Sequence, residues 1–157
     1  MRILFVCSGN ICRSPSAEGV LRRLAHAASL ELEVDSAGLG GWHAGEAPDL
    51  RTVRHARARG YDLSSLRARK IGEADFVFFD RIYAMDQGHL RDLRRLAPEV
   101  HRAKVELFLD VLAGAADAPR GREVPDPYYG GAQGFEEVLD LVEQGCRAIV
   151  AELVLRR

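Results

Sequence analysis

The sequence predicts an α/β fold, a mostly parallel sheet covered by helices on both faces. Three observations carry this. Short apolar runs alternate with helix-like segments, the order that builds βαβ units. The first run, residues 2–6, is apolar without alternation, as in a strand buried on both faces. It then passes through a short polar, glycine-containing turn straight into a helix start. At 157 residues, one domain over residues 1–157 is expected, long enough to bury a core without disulfides or metals.

The elements follow in order. After the turn, Ser14 is the expected N-cap, Pro15 the first helical residue and Glu18 an acidic residue in the first turn. A second strand is expected over residues 31–35, before Ser36-Ala37-Gly38. Residues 39–48 are glycine-rich and hold the single tryptophan, Trp42. Asp49 caps a helix reaching about Gly60. Residues 76–85 contain a third strand, although residues 74–79 could equally form a short helix leading into it. Residues 86–96 are helical and closed by Pro98. Residues 105–109 suit a fourth strand. Residues 113–129 form a long irregular stretch with three prolines, and such stretches are often functional. Residues 135–155 form an amphipathic closing helix.

Composition narrows the class of protein. With 47% apolar and 29% charged residues, the chain is expected to be globular rather than disordered. A formal net charge of −1 gives no general pull toward nucleic acid. No apolar run approaches the roughly 20 residues that span a bilayer, and residues 1–7 are too short for a secretory signal. No nucleic-acid or membrane partner is therefore expected. The cysteines are Cys7, Cys12 and Cys146, an odd number with no CxxC pair. That argues against a disulfide framework or a zinc site and for a reducing, cytoplasmic setting.

The most informative segment is Cys7-Ser8-Gly9-Asn10-Ile11-Cys12-Arg13-Ser14. It joins a buried strand to a helix N-terminus, where free N–H groups and the helix dipole favour an anion. Gly9 and Asn10 can take positive φ and turn successive N–H groups inward. Asn10 is the only asparagine in the chain, which suggests a backbone role. Arg13 offers a planar fork to two oxygens of a phosphoryl group. Cys7 lies at the mouth of this cradle, in surroundings that stabilise a thiolate, and Ser14 could donate to its sulfur. The spacing suits a thiolate attacking phosphorus with the equatorial oxygens already held. It is neither a Walker loop nor a dinucleotide fingerprint.

Cleaving a phosphate ester also needs an acid for the leaving oxygen and then a base for water. Asp126, flanked by Pro125 and Pro127, is the candidate, followed by Tyr128 and Tyr129. In isolation the same segment could be a simple turn.

The run Val6-Cys7-Ser8-Gly9-Asn10-Ile11-Cys12-Arg13-Ser14-Pro15 resembles the active-site loop of the low-molecular-weight protein tyrosine phosphatases. The likeness extends over nearly the whole chain, including the Pro-flanked aspartate. It implies a three-layer α/β/α fold with a four-stranded parallel sheet and the phosphatase loop between the first strand and first helix. It implies hydrolysis of phosphotyrosine in proteins, and of small aryl phosphates, through a phosphocysteine intermediate, without metal or cofactor. Carried over by the resemblance, Cys7 is the nucleophile, Arg13 holds the phosphate and Asp126 is acid and then base. Ser8, Gly9, Asn10, Ile11, Cys12 and Ser14 line the phosphate cradle, which would also take free phosphate and other oxyanions. Trp42, Tyr128 and Tyr129 become walls of the substrate cleft. Ser36 matches a serine that bonds the loop asparagine, and Asp86 an aspartate that holds the loop arginine. Cys12 matches the thiol that can pair reversibly with the nucleophile under peroxide.

Other readings stay open at this stage. A sister group acts on phosphoarginine and carries threonine where this chain has Ile11. Arsenate reduction uses a similar loop but needs further cysteines, and none lies between Cys12 and Cys146. A phosphate-binding module would need neither the nucleophile Cys7 nor the acid Asp126. A phosphoryl carrier is disfavoured by Arg13 and Asp126, since a carrier should not hydrolyse its own intermediate. The five histidines show no ligand spacing and are given no role. The basic run over residues 64–70 lacks the histidines that help hold the loop in some family members, and reads as a solvated charged face.

Overall fold

The computed structural model describes residues 1–114, 118–128 and 130–157. Four strands, β1 (Arg2–Cys7), β2 (Glu33–Gly38), β3 (Arg81–Ala84) and β4 (Val105–Leu107), form one parallel sheet in the order β2-β1-β3-β4. The helices are α1 (Arg13–Ala27), α2 (Leu50–Ala58), α3 (Glu73–Phe78), α4 (Gln87–Leu96) and α5 (Ala132–Leu155). The expected four-stranded, three-layer arrangement is therefore present.

Alternate side chains of β1 enter opposite cores, as the two-residue period of a strand requires. Ile3 and Phe5 pack with Leu21 of α1 and with Val138 and Val142 of α5. Leu4 and Val6 pack with Phe76 of α3 and Leu93 of α4. Phe5, Tyr83 and Phe108 form an aromatic cluster, with Phe5 and Phe108 edge to face at 5.4 Å between centroids. The central strand is thus clamped from both sides, and its carboxyl end is fixed.

Several sequence-based boundaries shift, each for a physical reason. Ser14 is not the N-cap of α1. The cap position is Cys12, without a side-chain bond, because the Ser14 hydroxyl is engaged at the Cys7 sulfur. β2 begins two residues later than expected and runs on through Gly38, since register with β1 pairs Cys7 with Gly38. The short helix expected near residues 74–79 does form, over Glu73–Phe78, and β3 follows it. β4 stops at Leu107, where the chain coils into a 3-10 turn over Phe108–Leu112. Asp49 caps α2 as expected, accepting from the backbone N–H groups of Arg51 and Thr52. No helix among the described residues is long and apolar enough to cross a membrane.

Candidate active site

The carboxyl end of β1 opens onto a pocket of about 240 Å³, lined among others by Cys7, Arg13, Trp42, Asp126 and Tyr128. This is where parallel sheets place ligands. The loop between β1 and α1 forms its floor. Asn10 has φ of 60°, the left-handed conformation that folds the loop back on itself. Among the described residues, the backbone N–H groups of residues 8–13 are given to no acceptor of the chain. A ring of free donors at a helix N-terminus is a cradle for a tetrahedral oxyanion.

The side chain of Asn10 is fully used. Its Nδ2 donates to Ser14 Oγ and to Ser36 Oγ, each at 2.9 Å, and its Oδ1 accepts from the Arg69 backbone N–H at 3.0 Å. Ser36 in turn donates to Glu18 Oε1 at 2.7 Å. Ser14 accepts from Asn10, and its own proton has Cys7 Sγ at 2.9 Å against the Ala37 carbonyl at the outer limit of 3.5 Å, which favours the sulfur. The sulfur therefore sits at the end of a buried chain of hydrogen bonds beginning at Glu18. The two expected partnerships, Ser36 with Asn10 and Ser14 with Cys7, are both formed.

Arg13 is buried and braced. Its Nη1 donates to Asp86 Oδ2 at 2.9 Å and to the Val124 carbonyl at 3.1 Å. Among the described residues its Nε has no protein partner. Asp86 does two jobs, since Oδ1 also accepts from the His89 backbone N–H at 2.8 Å and caps α4. Burial works against the Asp86 carboxylate, but the His89 N–H and the Arg13 guanidinium outweigh it and hold the carboxyl below its usual range. Val124 also donates its N–H to the Met85 carbonyl, tying the segment before Asp126 to the end of β3. Asp126 Oδ2 stands 3.8 Å from Arg13 Nη2 and its Oδ1 accepts from the Tyr128 N–H, a local turn between the two prolines.

The rim is apolar and aromatic. Trp42 is 72% exposed, and Tyr128 is partly exposed under the Arg51 guanidinium, 5.4 Å from its ring centroid. Tyr129 lies outside the described residues. Ile11 and Cys12 line the pocket with Ser8 and Gly9. Cys12 is buried, and burial pushes its thiol up to about 12, so it carries its proton at neutral pH. Cys146 is fully buried in the core of α5, away from the site. All three cysteines are free thiols.

A model of the low molecular weight phosphotyrosine protein phosphatase family matches residues 2–156. The chain belongs to this family. Its members are hydrolases of phosphate monoesters, and Cys7 and Arg13 of this phosphatase sit in the family's loop. A low molecular weight protein-tyrosine-phosphatase of Streptomyces coelicolor is 48% identical over 153 residues, covering 96% of this chain and 92% of that protein. A crystal structure of a protein tyrosine phosphatase from Entamoeba histolytica, with Hepes in its active site, superposes with a TM-score of 0.89. It is 37% identical and the match covers 98% of this chain and 96% of that one. A Drosophila arginine phosphatase superposes with a TM-score of 0.87 at 31% identity, covering 98% of both chains.

Sequence reasoning missed four contributors to the phosphatase's site. Glu18 reads as a helix-start acid but is buried and anchors Ser36, and burial raises its carboxyl above the usual range. Arg69, within the run read as a solvated face, gives its backbone N–H to Asn10 while its guanidinium pairs with Asp35 and Asp75. His43 lines the pocket against Gly9 and donates from Nδ1 to Glu46 at 2.6 Å. His89 is buried beside Arg13. The i, i+3 spacing from Asp86 was the available signal for His89. Arg69 had none, because its bond to Asn10 is made by backbone.

Proposed function

We propose that this phosphatase hydrolyses phosphotyrosine in proteins, and small aryl phosphates, through a phosphocysteine intermediate. The observation that carries the reading is the convergence of Cys7 and Arg13, from the loop after β1, with Asp126, from a distant chain segment, on one pocket. The Cys7 thiolate attacks phosphorus while free loop N–H groups and Arg13 take the equatorial oxygens. The bond between phosphorus and the ester oxygen breaks, and Asp126 gives that oxygen its proton. The Asp126 carboxylate then accepts a proton from water, whose oxygen attacks phosphorus. The sulfur–phosphorus bond breaks, phosphate leaves and the thiolate is restored.

Ser14 serves the sulfur both as it attacks and as it departs. Ser36 and Asp86 hold Asn10 and Arg13, and Ser8, Gly9, Ile11 and Cys12 complete the cradle. Trp42 and Tyr128 suit the faces of a planar leaving group, and Tyr129 is assigned to the same wall by resemblance. Cys12 is the partner for an oxidised Cys7: peroxide converts the thiolate to a sulfenic acid, Cys12 sulfur attacks, and water leaves as the disulfide forms. Three unpaired thiols suit a reducing, cytoplasmic setting.

The likeness to an arginine phosphatase supports a second reading, phosphoarginine hydrolysis in the same pocket. The aromatic rim and Ile11 favour phosphotyrosine. The test compares p-nitrophenyl phosphate hydrolysis by wild type, Cys7→Ser and Asp126→Ala in reductant and chelator. Turnover should vanish in Cys7→Ser and fall about 10²–10⁴-fold in Asp126→Ala, with a smaller fall for esters of better leaving groups. An equal fall for all esters would remove Asp126 as the acid. Paired phosphotyrosine and phosphoarginine peptides then decide between the two substrates.

A further inference from the structure

The function proposed above gives no task to His89, yet the residue is 4% exposed and its ring reaches both Ser8 and Arg13. Its Nε2 lies 2.8 Å from Ser8 Oγ and 3.5 Å from Arg13 Nη2, the outer limit of a hydrogen bond. Its Nδ1 is 3.2 Å from Asp86 Oδ1, off the line of a hydrogen bond, and has no other partner. Arg13 can only donate, so an Nε2 facing it must be an acceptor. The ring proton then belongs on Nδ1, where it faces the Asp86 carboxylate. In that tautomer Nε2 accepts from the Ser8 hydroxyl and from Arg13 Nη2 together.

We propose that His89 is a positioning residue for phosphate binding, holding Arg13 Nη2 and Ser8 through a neutral Nε2 acceptor while Asp86 holds Nη1. Acceptors on both terminal nitrogens of the guanidinium, from the N-cap and the first turn of α4, fix both the plane and the rotation of the fork. Asp86 and the Val124 carbonyl both act on Nη1, so without the ring Nη2 would have, among the described residues, only the Asp126 carboxylate, 3.8 Å away, to hold it. The ring also ties the first residue after Cys7 to α4, so the loop and the arginine share one brace. Burial, and then the Arg13 charge, pull the imidazole down to about 4, so the acceptor form prevails at neutral pH.

The inference rests on the loop's reading as a phosphate cradle. The experiment separates an acceptor from a filler. Binding of inorganic phosphate is measured by calorimetry on wild type, His89→Gln and His89→Leu, alongside the melting temperature of each. Gln places an oxygen near the position of Nε2, whereas Leu fills the space without an acceptor. Expected is a phosphate affinity about tenfold weaker in His89→Leu, the size of one hydrogen bond to a charged group, with a melting temperature no lower than that of His89→Gln. Gln should recover most of the lost affinity. Equal affinity in Leu and Gln, or wild-type affinity in both, would overturn the proposal. Phosphate binding without turnover in wild type would count against catalysis and leave the His89 comparison readable. Absence of phosphate binding in wild type would remove both.

Discussion

Asn10 occupies a left-handed conformation that costs an ordinary residue about 1–2 kcal/mol, and its three side-chain bonds offset that cost. Asn10→Ala should lose both the tolerance and the bonds, about 2–4 kcal/mol in urea unfolding, and most of the phosphatase activity. Asn10→Gly should recover about 1 kcal/mol of the stability, because glycine takes positive φ freely, but little of the activity. His89 gives a pH dependence of definite sign. Its folded value near 4 lies below the ordinary 6.5, so on acidification between these values the unfolded chain takes up a proton that the folded one refuses. Stability should fall across that interval, by up to about 3 kcal/mol from this group. The charged groups that face it, Arg13, Asp86, Asp92 and Asp126, set the balance. Glu18 works the opposite way, since its raised value lets the folded state take the proton first. Urea midpoints of wild type and His89→Gln at neutral and acidic pH isolate the histidine, and an unchanged slope in the variant would contradict this account.

At the scale of elements, α5 shows how packing overrides local preference. Gly145 lies mid-helix, where alanine is intrinsically favoured by about 1 kcal/mol. A Cβ there would meet the Phe108 ring at 2.3 Å, inside the aromatic cluster under β1. Gly145→Ala should therefore destabilise by about 1–3 kcal/mol in urea, despite the gain in propensity. The same contest explains what was legible in the sequence. β1, α2 and α4 could be read because apolar runs and capping aspartates are local signals; Asp49 caps α2 as expected, and Asp86 caps α4 as well. Ser14 misled because a hydroxyl at a helix start serves equally as a cap or as a donor to a sulfur seven residues away. The end of β4 is set by Phe108 turning into the core, which no local pattern announces. The phosphate loop was legible almost residue by residue. Its braces were less so: Arg69, His89 and Val124 reach the loop from 59 to 111 positions away, and Glu18 acts only through Ser36, 18 positions further on.

For the molecule as a whole, the site is an intersection. The loop after β1, the end of β3 with α4, and the segment around Val124 meet through Arg13, so binding at the pocket loads contacts from all three. A ligand that binds only the folded state adds RT ln(1 + [L]/Kd) to stability, about 2.7 kcal/mol at a hundredfold excess over Kd. Phosphate at that excess should raise the wild-type melting temperature and leave Arg13→Met almost unmoved at the same concentration. A comparable rise in the variant would mean that phosphate stabilises the fold from elsewhere.

Trp42 is the single indole of the chain, and it stands almost bare at the lip of the pocket. Emission excited at the red edge of tyrosine absorption therefore comes from one position, and that position is the doorway. The protein carries its own optical gauge of occupancy: an aryl group laid against the indole should change its colour and brightness as water is pushed aside. Ligand arrival and departure can then be followed by stopped flow with no label attached.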